Sequence, residues 1–450
     1  MNRLSSPASL VRPLAEPSLR RLAVTAAGAL ALSTLSASPA LAQEAVAYDS
    51  GDVAWMLTAT PLVLMMTVPG LALFYGGMVR RKNVLATAVQ SFATCCLATV
   101  LWMLVGYSLA FSDGGSLQSF VGGLGRAFLG DIGPDSAVGT IPESVFMTFQ
   151  MTFAIITPAL IAGAFADRIK FSALLCFIGA WSLLVYAPIC HWVWGGGFLA
   201  TAGVLDFAGG TVVHVNAGVA GLVAALVIGR RLGYGTENMA PHNLVLSLIG
   251  ASLLWVGWFG FNAGSAVAAN GIAGMAMMNT QIATAAAALA WMVSEWLLQR
   301  KPSVLGLLSG AVGGLVAITP AAGFVDASGA LWIGLIGGVA CYVAAVYVKR
   351  IFKYDDSLDA FGIHGVGGAV GAILTGVFAT ATVNSGSGLV DGNPGQIWIQ
   401  IKGLGATIAY CAAITWLILK AIDATIGLRV TREQEIEGLD LHLHGETAQG

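Results

Sequence analysis

The chain reads as an all-α polytopic membrane protein with eleven transmembrane helices. Three observations point there. Of its 450 residues 57% are hydrophobic and only 10% charged, against about 25% charged in a soluble domain, and the mean hydropathy is +0.80. The apolar residues run in long stretches near the ~20 residues that cross a bilayer. The few charges sit in short clusters between those stretches. So few charges could not cover a soluble enzyme of this size. A net charge of -2 leaves no basic face for nucleic acid.

Residues 1–42 stand apart from the fold. Arg3, Arg12, Arg20 and Arg21 precede an apolar run from Leu22 to about Leu35, and Ala40-Leu41-Ala42 follows. A basic region, a short apolar core and an A-x-A end match a secretory signal peptide cleaved before Gln43. An uncleaved anchor is the alternative, and Arg20-Arg21 also fits a twin-arginine export signal. Cleavage leaves the mature N-terminus outside.

The spans follow in order. Stretches 53–76 and 84–111 flank Arg80, Arg81 and Lys82; 142–165 and 171–190 flank Arg168 and Lys170. Arg230 and Arg231 separate 210–229 from 243–263, and Arg300 with Lys301 separates 276–298 from 303–321. Lys349, Arg350 and Lys353 lie between 330–348 and 363–383. The last stretch, 398–425, carries Lys420 and is followed by Arg429 and Arg432. Those cations, 15 in all, fall on one side; Arg126 and Lys402 alone fall on the other. The positive-inside rule places the 15 in the cytoplasm. The N-terminus is then outside and the C-terminus inside, which an odd number of spans requires. Residues 43–427 form the transmembrane domain and 428–450 a polar cytoplasmic tail. With 58 glycines, the helices can approach closely where lipid gives no drive for association. The six cysteines lie in apolar runs without a C-x-x-C pair and read as buried small hydrophobes.

Few residues at membrane depth can carry chemistry. His214 and His364 lie 150 residues apart, each opening a span in the pattern H-x-x-x-G-x-x-G. Five spans per unit would make the second unit an inverted copy of the first, with a transport path at the interface. Ionisable side chains within a membrane face a pathway or each other. A meeting pair could share a proton or hold a small polar molecule; two unrelated, locally satisfied histidines fit equally well. No H-E-x-x-H and no carboxylate within one turn supports a metal site. Phe149 and Phe153 share a face of the third span, and Trp258, Phe261 and Ser265 share one on the sixth. Trp194 lies in an outer stretch beyond the fourth. These aromatics read either as an interfacial belt or as a cup for a small cation. Asp206 can cap the fifth span, and can also add negative potential to an outer cation site. The lack of a nucleophile–base pair speaks against an enzyme.

Taken together these segments resemble the ammonium transporter (Amt/Rh) family, on its bacterial Amt branch. The residues carrying the resemblance are Asp206-Phe-Ala-Gly-Gly-Thr-Val-Val-His214, Pro241-His-Asn-Leu244, Trp258-Phe-Gly-Phe-Asn-Ala-Gly-Ser265, Asp359-Ala-Phe-Gly-Ile-His-Gly365 and Gly427-Leu-Arg-Val430. The likeness runs from about Val53 to Glu446. It implies eleven helices in inverted five-helix repeats plus a final long helix, assembled as a homotrimer in the cell inner membrane. Ammonium, with methylammonium as its analogue, would be bound by Trp194, Ser265 and Phe153, supported by Asp206. Phe153 and Phe261 would close the path, with Phe149 and Trp258 beside them and Gln150 near. His214 and His364 would line a narrow pore. No cofactor is implied. The tail would pack on the inner face and answer a PII-type signal protein. A passive gas channel of the Rh kind and an ammonium sensor are the rival readings.

Overall fold

The computed structural model describes residues 48–448; the expected signal segment, residues 1–42, lies outside the described residues. Among the described residues ten helices are long and apolar enough to cross a bilayer. They are α1 (Ser50–Met78), α2 (Arg81–Phe111), α3 (Glu143–Phe165), α4 (Phe171–Thr201), α5 (Gly210–Ile228), α6 (Leu244–Gly264), α7 (Gly271–Gln299), α9 (Ala327–Phe352), α10 (Phe361–Phe378) and α11 (Gly395–Thr425). The expected stretch 303–321 contains α8 (Val304–Ile318), an apolar helix of 15 residues. A short helix, α12 (Arg432–Glu437), follows α11. A two-residue hairpin, β1 (Ala137–Val138) with β2 (Ile141–Pro142), lies in the connection from α2 to α3. The chain is a multi-pass membrane protein.

Polar side chains set where several helices begin. A helix start leaves N–H groups without intrahelical partners, and short oxygen-bearing side chains take them up. Asp49 accepts from Asp52, Asn243 from Val245 and Leu246, Asn270 from Ile272 and Ala273, Ser303 from Gly306 and Asp326 from Gly329. Wider, π-type turns interrupt α1, α2, α4 and α9, and open α5 and α10.

Two sequence expectations need correction. The fourth span does not stop near residue 190 but runs helically to Trp194 and resumes at Phe198. His191 makes this possible, because its ring nitrogens lie 2.9 and 2.7 Å from the carbonyl oxygens of Ala110 and Gln118. Trp194 is therefore the last residue of a helical segment and does not hang in a loop. The cysteines are also not uniformly buried: Cys190, Cys341 and Cys411 are, whereas Cys96 and Cys176 are exposed. They share that outer surface with Phe92, Leu184, Leu226 and Leu417, where lipid accepts a small apolar side chain at little cost.

Large aromatic side chains of α3, α4 and α6 lie in the core, with Phe149, Phe153, Phe177, Trp181, Tyr186 and Phe261 all buried. The face carrying most Lys and Arg is stitched by Arg168, which is fully buried. Its guanidinium donates to the carbonyls of Ala164, Ala166, Gly229 and Asp355 and to the hydroxyl of Ser357. Arg231 pairs with Asp355 at 2.7 Å, and Asp167 pairs with Arg80 at 3.2 Å. The tail packs on this basic face. Lys170 N–H donates to Leu428 and Val430 N–H to Arg168. Leu439 N–H reaches the Asn83 side chain, and Asp440 accepts from Leu85 and Ala86 at the start of α2.

Candidate functional site

The site is built where α5 and α10 cross. Both helices start in a π-type turn, Gly210–Val215 and Phe361–Gly365, and each turn contains one of the two histidines. Glycines decide how near the helices come. A side chain at Gly218 would strike the backbone of Gly365 at 2.1 Å, and one at Gly368 would meet the Gly210 carbonyl at 2.8 Å and the His214 side chain at 3.1 Å. Each glycine stands four residues after its histidine, on the same helix face. Small residues there let the two backbones touch, and His214 and His364 come together as a consequence. Their Nδ1 atoms are 3.3 Å apart and the rings are stacked at 5.3 Å with 17° between their planes. Both are buried.

A shared Nδ1···Nδ1 hydrogen bond needs one ring to donate and the other to accept. The two Nε2 atoms then differ, one a bare acceptor and the other an N–H donor. His214 Nε2 is buried and has no partner within the protein. The pair thus sets one ring N–H and one bare ring nitrogen among buried apolar side chains.

Aromatic rings continue the file from this pair toward the opposite face. His214 stacks on Trp258 at 5.3 Å and on Phe261 at 5.9 Å. Phe261 lies 4.3 Å from Phe153, and Phe153 meets Phe149 at 5.0 Å and Trp194 edge-on at 5.7 Å. Phe149, Phe153, Phe261 and Trp258 are all buried, so the file is closed to water between Trp194 and His214. Trp258 is fixed by a bond from its indole N–H to Thr319 Oγ1 at 2.9 Å. Trp194 is half-buried and lines a cavity of about 550 Å³ with Tyr107, Asp113, Arg126 and Glu143. Ser265 follows the last turn of α6, half-buried, and donates to the Phe261 carbonyl at 2.8 Å. Gln150 lies on α3 with a buried, unpartnered Oε1.

Asp206 has its carboxylate fully engaged. One oxygen accepts from Gly209 and Gly210 at 2.9 and 2.6 Å, the other from Thr211 and Val212 at 2.8 and 3.0 Å. These are the free N–H groups at the start of α5, where a negative charge also complements the helix dipole. Its backbone carbonyl takes the Trp194 indole N–H at 3.0 Å. Asp206 therefore touches the site through Trp194 rather than by presenting an oxygen. Gly209, at φ +107°, makes the turn from Asp206 into α5, and a side chain there would meet Trp194 at 3.2 Å. Among the described residues no group of three or more His, Cys, Asp or Glu side chains is placed to hold a metal ion.

One partner escapes the sequence reading. Asp356 stands eight residues before His364, as Asp206 does before His214. Its carboxylate accepts from Ala360 and Phe361 at 3.1 and 2.7 Å, at the start of α10. The repeated D-x7-H spacing was the available cue.

Comparison with known proteins places this arrangement in a family. The profile of the Ammonium Transporter Family matches residues 54–449. The chain belongs to the ammonium transporter family. The ammonium transporter of Aquifex aeolicus is 54% identical over 89% of this chain and 93% of its own. That of Bacillus subtilis is 50% identical over 88% of this chain and 98% of its own. The crystal structure of Saccharomyces cerevisiae Mep2 superposes with a TM-score of 0.81 at 35% identity, over 86% of this chain and 88% of Mep2. The Aquifex aeolicus and Bacillus subtilis relatives carry the name of transporters and not of enzymes.

Proposed function

We propose that this protein is an ammonium transporter that recruits ammonium at Trp194, Phe153 and Ser265, strips it of a proton near the phenylalanines, and conducts ammonia past His214 and His364. The observation that carries the reading is the continuous file from Trp194 through Phe153 and Phe261 to the stacked histidines. Ring faces attract an ammonium-like cation, and the Ser265 hydroxyl retains acceptor capacity beside them. Beyond Phe153 the rings that line the file are apolar and buried, so a bare ion would cross at high cost while neutral ammonia would not. The histidine pair then supplies the polar groups on that route. Asp206 serves by holding Trp194 and the start of α5; Phe149 and Trp258 pack the gate from either side.

The wider architecture belongs to the same proposal. The α8 helix is ~22 Å long at 1.5 Å per residue, and we take it as the eleventh span, since the charge bias needs odd parity. The D-x7-H spacing, the paired π-type turns and the glycines four residues after each histidine support an inverted five-helix repeat with α11 added. The 15 to 2 division of Lys and Arg supports a cytoplasmic C-terminus in the cell inner membrane, after removal of residues 1–42 as a signal peptide. Residues 43–427 then make the transport domain, assembled as a homotrimer. Residues 428–450 make a cytoplasmic tail open to a PII-type signal protein.

Cells expressing the protein are expected to accumulate methylammonium, with ammonium competing. Absence of competed uptake, with the protein present in the membrane, would overturn the assignment. Currents across membranes containing purified protein decide the proton's route: ammonium-elicited charge transfer means that it crosses separately.

A further inference from the structure

The cavity that opens on Trp194 carries a cation of its own. Arg126 stands in its wall, and among the described residues no other Lys or Arg lines it. Tyr107, Phe111 and Phe146 make the aromatic side, with Phe111 and Phe146 edge-on at 5.2 Å. A fixed positive charge in a concave mouth with low-dielectric walls opposes the entry of any cation. Recruitment of ammonium at Trp194 therefore requires that this charge be cancelled.

Glu143 cancels it. Its two carboxylate oxygens accept from Arg126 Nε and Nη2 at 3.0 and 3.1 Å, the two-pronged geometry in which guanidinium and carboxylate match. Tyr107 donates to the first of those oxygens at 3.1 Å. The Glu143 side chain is 7% exposed and that of Arg126 35%, so the carboxylate is the enclosed partner and the guanidinium the open one. Both are held by the membrane helices: the Arg126 backbone N–H donates to the Ser108 hydroxyl on α2 at 2.9 Å, and Glu143 is the first residue of α3. The same α3 carries Phe153. Asp113, exposed on the cavity wall, adds a further negative charge. With Arg126 cancelled, the mouth is left net negative.

We infer that Glu143 is a positioning residue for cation recruitment: it holds Arg126 in a neutral pair, and so converts a mouth that would repel ammonium into one that attracts it. It acts through Arg126 and touches no substrate. The inference rests on the recruitment of ammonium proposed above. An ion pair that only fastened the connection between α2 and α3 would use the same bonds, but uptake would then be indifferent to the charge of the mouth.

The test is the concentration dependence of methylammonium uptake in cells, scaled to folded protein in the membrane. Glu143→Gln keeps the side-chain shape and leaves Arg126 uncompensated; KM is expected to rise about fivefold with the maximal rate little changed. Added salt is expected to narrow that gap. Arg126→Gln combined with Glu143→Gln returns the mouth to the parent's net charge and is expected to bring KM back to within about twofold. Arg126→Gln alone leaves the carboxylate in excess and is expected to lower KM below the parent's. An unchanged KM in Glu143→Gln, or a double variant no better than the single one, overturns the inference. Should Glu143→Gln not reach the membrane folded, Arg126→Gln decides, and a KM equal to or above the parent's is the contrary result. Trp194→Ala separates this inference from the reading beneath it. If Trp194→Ala raises KM and Glu143→Gln does not, recruitment at Trp194 stands and the role of Glu143 falls; if the parent shows no competed uptake, or Trp194→Ala changes nothing, both fall.

Discussion

His214 and His364 touch at 3.3 Å although 150 residues separate them, and each is meaningful only beside the other. With His214 Nε2 buried and unpartnered, the pair holds polar capacity that no other protein group uses, an arrangement that costs stability unless it serves the path. His214→Ala removes the shared hydrogen bond and opens space between Phe261 and His364. Selective conduction is expected to fail: methylammonium uptake falls, or potassium begins to pass. Unchanged uptake together with unchanged exclusion of potassium would remove the histidines from the mechanism. The sequence displayed both histidines and most of the aromatics; it did not display which would meet. Ring order along the file depends on how α3, α5, α6 and α10 are arranged, and residue spacing carries no information on that.

Helix starts and crossings convert those side chains into a site. Gly218 lies against the Gly365 backbone, so a side chain there must push α5 from α10. Gly218→Val is expected to separate the histidines and abolish uptake, with a fall in unfolding temperature from strain of about 1–3 kcal/mol; normal uptake would show that the crossing is not needed. The cap of α10 gives a pH signature. Burial, reinforced by Asp359 and opposed by Lys349, pushes the Asp356 carboxyl up to about 6, above the ordinary carboxylate range. An acid raised in the folded state contributes stability that is complete below its ordinary value and lost as pH rises through about 6. Asp355 runs the other way: burial acts upward but Arg231 outweighs it and holds the carboxyl low, so its contribution disappears only in stronger acid. Between about pH 4 and 6 the contribution of Asp356 favours the folded state more as pH falls. The unfolding midpoint of the parent in detergent is therefore expected to gain on that of Asp356→Asn as pH falls across that window, since all other groups act alike in both. An identical slope in the variant would contradict this.

The molecule as a whole is tied together on its basic face. Arg168 looks in the sequence like one more topological charge, yet it is fully buried and spans segments near residues 164–166, 229 and 355–357 with five hydrogen bonds. Removing it orphans several buried carbonyls, each costing about 1–3 kcal/mol. Arg168→Met is expected to lower the unfolding temperature in detergent sharply and reduce folded protein in the membrane; a variant as stable as the parent would show those carbonyls find other partners. The tail belongs to the same network through Arg429, which donates to Glu435 at 2.7 Å, and through Asp440.

Composition and charge spacing by themselves determined membrane residence, the approximate limits of the spans and the candidate residues, because the bilayer imposes length and apolarity on each helix separately. They also placed Asp206 before α5, since a cap acts within a few residues of its own chain. Only the tertiary structure decided that α4 continues to Trp194, that His214 meets His364, that Asp356 mirrors Asp206, and that Arg168 lies inside while Arg230 lies outside. Each of those rests on contacts between segments distant in the chain, where a glycine, a carbonyl or an ion pair on one helix sets what another can do.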